Sequence, residues 1–348
     1  MNKVLVYGAY GYTGRLIVDE LLKKGIQPVV AGRDEDKTRA FADSHDLSHL
    51  IFEVDEREKI LKALSGIEVL IHCAGPFVHT AQEMVEACLA TNTHYLDITG
   101  EYQVFDLVQK YDELAKEKGI MLMPGAGFDV VPSDCLAKKL HKCMPDATDL
   151  KLAFMSKGGR LSRGTTKTMI ENLGDPQVIR KNGEYAYELM GNSTRMVNFG
   201  DFENLTMGIT WGDISTAFRS TGIPNIEVFS GTTEEQLSKV RKIGKFSFLL
   251  KSKLVKTFLK GKLDRKPDGP SSENREESKM YLWGQVSNGA KVVEARLHTP
   301  NGYTLTAKTS VLITRKIMSG DFRSGYQTPS EAYGEDLITE VEGCHWVD

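Results

Sequence analysis

The sequence predicts an α/β fold in two domains, and three features of it point that way. Short apolar runs alternate with amphipathic helical patterns over the first 135 or so residues. A glycine triplet stands between the first of those runs and the first helical pattern. After Asp134 the pattern changes to β-type runs separated by glycine. With 348 residues the chain exceeds the usual single-domain size, and 41% apolar with 26% charged residues suits a buried core.

Taken in order, strands are expected at Val4–Tyr7, Pro28–Ala31, Ile51–Val54, Val69–Cys73, Tyr95–Ile98 and Ile120–Met123. A helix from about Thr13 to Lys24 carries Leu16, Ile17, Leu21 and Leu22 on one face and stops at Gly25. Another begins near Thr80, with Met84, Val85, Cys88 and Leu89 at helical spacing. Beyond residue 148, Leu150–Met155, Leu205–Trp211 and Ile226–Phe229 read as strands. A loop is expected over Arg265–Glu277, and Lys279–Val286 and Lys291–Leu297 flank the hairpin signal Asn288-Gly289. Tyr303–Met318 and Pro329–Glu342 read as helical. The expected division is therefore a parallel-sheet domain over 1–134, a mixed α/β domain for substrate or dimerisation over 135–302, and C-terminal helices over 303–348 that return to the first domain.

The motif Gly8-Ala9-Tyr10-Gly11-Tyr12-Thr13-Gly14 lies between the first strand and the first helix. In such a motif the first glycine permits a tight turn, the second lets backbone amides approach a pyrophosphate, and the third lets helix pack on strand. The pyrophosphate then sits at the positive end of the helix dipole. The sheet is accordingly expected to be a Rossmann-type doubly wound parallel sheet binding a dinucleotide. The second strand ends Ala31-Gly32-Arg33-Asp34, placing Arg33 where an NAD-binding protein usually has an acid for the ribose 2′-hydroxyl. A guanidinium there offers donors to a 2′-phosphate, with Gly32 leaving room for it, so NADP(H) is the expected cofactor. Asp34 reads as the cap of the next helix. Asp55, closing the third strand, either faces the adenine or caps a helix.

Several stretches resemble the saccharopine dehydrogenase-like oxidoreductase superfamily, and more narrowly its trans-acting enoyl reductase branch. They are residues 6–14, Ala-Gly-Arg (31–33), Cys-Ala-Gly-Pro-Phe (73–77), Tyr-Leu-Asp-Ile-Thr-Gly-Glu (95–101) and Gly-Ala-Gly-Phe-Asp-Val-Val-Pro-Ser-Asp (125–134). The similarity continues through Ser-Arg-Gly-Thr-Thr (162–166), Gly-Pro-Ser-Ser-Glu-Asn-Arg (269–275), residues 302–307 and Thr-Pro-Ser-Glu-Ala (328–332). The resemblance implies an NADP-binding Rossmann domain, a mixed α/β second domain, and reduction of acyl or polyketide intermediates.

Ligands of open α/β sheets bind beyond the carboxyl ends of the strands. Ala74, Gly75, Pro76 and Phe77 follow the fourth strand there, with Gly75 and Pro76 against the cofactor and Phe77 as a wall for the nicotinamide. Glu101 and Asp129 are the carboxylates, and Tyr102 and Ser133 the hydroxyls, expected nearest the reacting atoms. Each also has a structural alternative: Glu101 and Ser133 as helix caps, Asp129 in a structural hydrogen bond, Tyr102 in a core. His72, in an apolar strand, is expected to be a satisfied core residue. In Lys157–Thr166, a loop opening a helix, Arg160 or Arg163 could hold an anionic group. No tyrosine is followed four residues later by lysine, so the Tyr-x-x-x-Lys pair of short-chain dehydrogenases is absent.

A formal charge of −3 argues against a nucleic-acid partner. Five scattered cysteines without a Cys-x-x-Cys pair argue against a disulfide framework or a metal site and fit the cytoplasm. The N-terminus leaves no room for a secretory signal, and no apolar stretch is long enough for a membrane span. The partner expected is a small-molecule or acyl substrate. Residues 239–266 hold eleven Lys/Arg against Asp264 alone, with Phe246, Leu249, Leu250, Leu254, Phe258 and Leu259 at near-helical spacing. Such a segment fits an anionic membrane surface, or packs its apolar stripe on the protein itself or in a homodimer.

Overall fold

The computed structural model describes residues 3–244, 252–263 and 267–347. The chain divides into two units, Met1–Val131 with Tyr303–Tyr333, and Pro132–Gly302 with Gly334–Asp348.

The first unit begins as alternating strand and helix: β1 (Val4–Tyr7), α1 (Tyr12–Lys23), β2 (Val29–Gly32), α2 (Glu35–Asp43), β3 (His49–Ile51), α3 (Arg57–Leu64) and β4 (Val69–His72). A 3-10 turn at Phe77–His79 leads into α4 (Ala81–Thr91), β5 (His94–Asp97), α5 (Tyr102–Gln109), α6 (Asp112–Lys118) and β6 (Met121–Met123). These strands form one sheet in the order β6-β5-β4-β1-β2-β3, and every pairing is parallel. β1, β4, β5 and β6 are buried along their whole length, which is why they are largely apolar, with His72, His94 and Asp97 the polar exceptions. The order reverses between β4 and β1, the switch point where α/β sheets open a crevice for ligands.

α7 (Val131–Cys143) carries the chain into the second unit. There follow β7 (Asp149–Lys157), α8 (Arg163–Glu171), β8 (Gln177–Lys181), β9 (Glu184–Glu188), β10 (Thr194–Asn198), β11 (Glu203–Ile209), α9 (Asp213–Thr221), β12 (Asn225–Gly231) and α10 (Glu234–Gly244). Then come α11 (Lys253–Leu263), α12 (Ser272–Glu277), β13 (Lys279–Ser287) and β14 (Val292–Pro300). The sheet runs β10-β11-β12-β7-β13-β14, mostly antiparallel with β12 and β7 parallel. Its core gathers Ala153, Val197, Phe199, Phe229, Tyr281 and Trp283. The hairpin at Asn288-Gly289 forms as expected: Gly289 takes φ 83°, and Asn288 Oδ1 accepts from the N–H groups of Ala290 and Lys291 at 3.1 and 2.9 Å.

The C-terminal segment holds α13 (Gly302–Met318), β15 (Gly325–Tyr326), α14 (Pro329–Tyr333), a 3-10 turn at Glu335–Glu340 and β16 (His345–Val347). β15 joins the first sheet beside β6, and β16 joins the second beside β14. The segment expected to be all helices is therefore shared between both units. The helix expected over 329–342 stops early because Gly334 takes φ 80°, outside the helical region. Two more expectations differ. The loop at 265–277 contains α12, capped by Ser271 Oγ accepting from Asn274 N at 3.2 Å. β8, β9 and β10 escape the apolar pattern because β8 buries Gln177 and Arg180 beside its apolar pair, and β9 and β10 are half-exposed polar strands. Phe246, Leu249 and Leu250 lie outside the described residues.

Candidate active site

The glycine loop is shaped by backbone alone. Gly8, at φ 80°, donates to Ala31 O of β2 at 2.8 Å, and Gly11 N donates to Gly8 O at 3.0 Å. A Cβ on Gly14 would stand 2.4 Å from Gly8 O and 2.9 Å from Ala9 Cα, so α1 approaches β1 more closely than any side chain permits. A Cβ on Gly11 would meet only Gly8 O, at 3.1 Å, with open space beyond. α1 starts at Gly11 with no side-chain cap, leaving its first N–H groups for an anion. Ala9 is buried, while Tyr10, Tyr12 and Thr13 are half-exposed around the loop. The Tyr12 ring meets the edge of Tyr303, at the start of α13, at 5.1 Å.

At the end of β2 the guanidinium of Arg33 is exposed and has no hydrogen bond or ion pair to any described residue. Asp34 caps α2, accepting from Lys37 N at 3.1 Å and pairing with Lys37 Nζ, which holds its carboxyl below the usual range. The space over Gly32 is not left for a phosphate. The Tyr10 ring takes it, and a Cβ there would lie 2.5 Å from Tyr10 Cε1. Asp55 also sits differently: β3 ends at Ile51, and Asp55 is an exposed residue of the turn before α3. That turn is held by Glu56, whose carboxylate accepts from Glu53 N at 2.9 Å.

After β4, Ala74 and Gly75 lead through a cis peptide to Pro76. Phe77 is 8% exposed, with its ring edge-on to His72 at 5.3 Å, so it is a core ring and not the open wall expected for a nicotinamide. His72 is fully buried, and burial lowers its pKa to about 3, so the ring is neutral. The Thr80 hydroxyl donates to Ala74 O at 2.9 Å, so its oxygen accepts from His72 Nε2–H at 2.8 Å. His72 Nδ1 is then the bare nitrogen, buried without a partner, so this core histidine is only half satisfied.

The acids after β5 and β6 differ sharply. Asp97 is fully buried and accepts from Tyr95 OH, Thr99 N and Gly125 N at 2.7, 3.0 and 2.8 Å, tying the two loops together. Burial pushes its carboxyl up to about 6 against those bonds. Glu101 accepts from Phe77 N and Val78 N at 3.1 and 2.9 Å, so it caps the turn after β4 and not its own helix α5. Burial raises its pKa and the two N–H groups oppose the rise. Asp129 is half-buried and has no hydrogen bond or ion pair among the described residues. With nothing to offset desolvation, its carboxyl is pushed up to about 7. It lies against the β5 loop, where a Cβ on Gly100 would stand 3.0 Å from its Cβ and 3.1 Å from its Oδ2. Tyr102 opens α5 half-buried, and Ser133 is buried in the part of α7 that belongs to the second unit.

The loop bearing Asp129 is fastened from α13. Thr306 Oγ1 accepts from Phe128 N at 2.9 Å, and Thr309 Oγ1 donates to Ala126 O at 2.8 Å. A Cβ on Gly127 would stand 2.7 Å from Thr306 Cγ2. Sequence reading passed over Asp97, Thr306 and Thr309. An acid inside an apolar strand was the available signal for Asp97; the two threonines gave none. In the second unit Ser162 caps α8, accepting from Thr165 N at 3.1 Å, and Arg163 is bound to Asp268, while Arg160 is exposed. Among the described residues no group of three or more His, Cys, Asp or Glu is placed to hold a metal ion, and no helix is long and apolar enough to cross a membrane.

Residues 4–123 match the family described as Saccharopine dehydrogenase NADP binding domain, so this segment is an NADP-binding domain of saccharopine dehydrogenase type. The human saccharopine dehydrogenase-like oxidoreductase is 25% identical over 203 residues, covering 51% of this chain and 47% of the human protein. A Mycobacterium tuberculosis protein named as a trans-acting enoyl reductase is 28% identical over 195 residues, covering 51% of this chain and 46% of its own. The chain thus spans about half the length of the curated relatives it matches. Among solved structures, the L-Glu-forming saccharopine dehydrogenase of Saccharomyces cerevisiae superposes over 100% of both chains with a TM-score of 0.69 at 12% identity, a likeness of fold.

Proposed function

We propose that this chain, built on a saccharopine dehydrogenase-type NADP-binding domain, is an NADPH-dependent reductase of an acyl or polyketide-type C=C or C=O group. The glycine loop holds the pyrophosphate on the first N–H groups of α1, and Arg33 holds the 2′-phosphate that distinguishes NADPH from NADH. When bound, the cofactor supplies a hydride from its nicotinamide. The observation that carries the reading is Asp129, a half-buried carboxyl without a partner among the described residues, poised near neutrality at the carboxyl edge of the cofactor-binding sheet. Hydride addition to a carbonyl leaves an alkoxide, and addition to an activated C=C leaves an enolate. In either case the Asp129 carboxyl gives its proton to the anion and is recharged from solvent, which its exposed side reaches. Glu101, Asp97 and Thr306 position the loops around it, and Tyr102 remains a candidate for an additional hydroxyl contact. The five free thiols suit a cytoplasmic setting, and an acyl substrate suits work at a lipid surface.

The test is loss of NADPH absorbance with a panel of enoyl, keto and imine substrates. Turnover of an enoyl or keto thioester supports the proposal. Turnover of an amino-acid-derived imine alone would make the protein a saccharopine-type imine reductase. Tight NADPH binding with no turnover across the panel would make it a sensor or scaffold.

A further inference from the structure

In the second unit α8 and α11 pack against each other with their side chains turned the unusual way round. Lys256 Nζ donates to the main-chain oxygen of Glu171 and Lys260 Nζ to its carboxylate, so the side of α11 that bears these lysines faces α8. Leu263, on the same side, is buried. Phe258 lies two residues from each of those lysines, roughly 200° around the helix, and is 62% exposed. On α8, which has no buried residue, Met169 is 57% exposed, and Leu161 just before it is 58% exposed. A solvated surface helix puts its lysines outward and its phenylalanine inward. Here the ring is largely exposed while two half-buried lysines turn toward α8.

Charge identifies what this face meets. α8 and α11 together contain Arg163, Lys167, Lys253, Lys256, Lys260 and Lys262 against Glu171, and Asp268 lies beside them bound to Arg163: six basic residues and two acidic, hence four net positive. The whole chain carries −3, so the positive charge is local. A second copy meeting this face about a two-fold axis would bring the same positive charge against itself.

We propose that the α8–α11 face docks on an anionic lipid surface, with Phe258 and Met169 inserted at the boundary between headgroups and acyl chains. Burial of the ring and the thioether side chain drives insertion, and the positive charge of the helix pair adds attraction that salt screens. This goes beyond the reduction proposed above, and its readout is binding, so either reading stands if the other fails.

Co-sedimentation of the full chain with vesicles of phosphatidylcholine, alone or with about one third phosphatidylserine, tests it. The chain should bind the phosphatidylserine vesicles at low salt, release as salt rises, and leave pure phosphatidylcholine unbound. The double variant Phe258→Ser with Met169→Ser should lose at least about tenfold in vesicle affinity. Its NADPH affinity should match the parent's, since both side chains are exposed and lie in the second unit. No vesicle binding at low salt, or undiminished binding by the double variant, overturns the proposal. A parent dimer that the double variant dissolves, with vesicles ignored, would assign the face to a second copy instead.

Discussion

The stretch of strand edge after β1 and β2 and the stretch after β5 and β6 belong to one sheet, yet they are built by different means. The first is made of glycines and main chain: Gly8 takes a positive φ, Gly14 leaves room that no other residue leaves, and the loop closes on backbone hydrogen bonds. The second is made of side chains with distant partners. Asp97 ties β5 to Gly125, Glu101 reaches back to the turn at Phe77–His79, and Thr306 holds Phe128 from 178 residues away. Within that network every acid is satisfied except Asp129. A glycine loop suits a fixed pyrophosphate. A carboxyl left without a partner stays near neutrality and can exchange a proton.

The sharpest way to break this contrast is Asp129→Asn. The variant should lose about 10²–10⁴-fold in turnover while keeping its NADPH affinity. Parent turnover should also fall as pH rises through about 7, where the acid loses its proton. The variant's stability should move opposite to its turnover. The folded carboxyl titrates at about 7, whereas an unfolded one titrates near ~3.9. Between those values the native state binds more protons, so the cost of ionising Asp129 is absent below the lower one and complete above the upper. At about pH 8 the asparagine variant should therefore be the more stable by about 1–3 kcal/mol, solvent access to the half-buried group trimming the full effect, and near ~pH 4 the two should match. Thermal unfolding across that range reads it. Turnover within a few-fold of the parent would move the proton donor elsewhere.

On the cofactor side the corresponding change is Arg33→Ala. The exposed guanidinium has no hydrogen bond or ion pair to lose among the described residues, so folding should be untouched, while NADPH affinity falls roughly 10–100-fold and NADH affinity stays. Equal losses for both cofactors, by fluorescence titration, would separate Arg33 from the 2′-phosphate. The smallest effect is expected from Glu101→Gln. One amide oxygen cannot serve both Phe77 N and Val78 N as two carboxylate oxygens do, so about 1–3 kcal/mol of stability should be lost in urea unfolding. A loss of turnover far beyond the loss of stability would give Glu101 a part in the chemistry and erase its difference from Asp129.

Much of this was legible in the sequence. Apolar runs placed the parallel strands within a few residues, and the fingerprint located the glycine loop. Misreadings occur where one position serves a distant neighbour. Gly32 makes room for the Tyr10 ring, Phe77 turns inward onto His72, and Asp55 falls outside a strand that ends at Ile51. On α11 the spacing of apolar residues showed an amphipathic helix without showing which side faces out, because Glu171, which draws two lysines inward, lies on another element.

What the sequence by itself determined is whatever depends on local sterics and periodicity: the parallel sheet, the glycine turn, the hairpin at Asn288-Gly289 and the cap at Asp34. What only the tertiary structure decided is the state of each acid. A carboxyl's proton affinity is set by burial and by donors within about 3 Å, and Gly125 N at Asp97 and both donors at Glu101 come from loops 23 to 28 residues away. Three acids that read alike as letters thus become a buried tie at Asp97, a clamp at Glu101 and, at Asp129, a group without a partner.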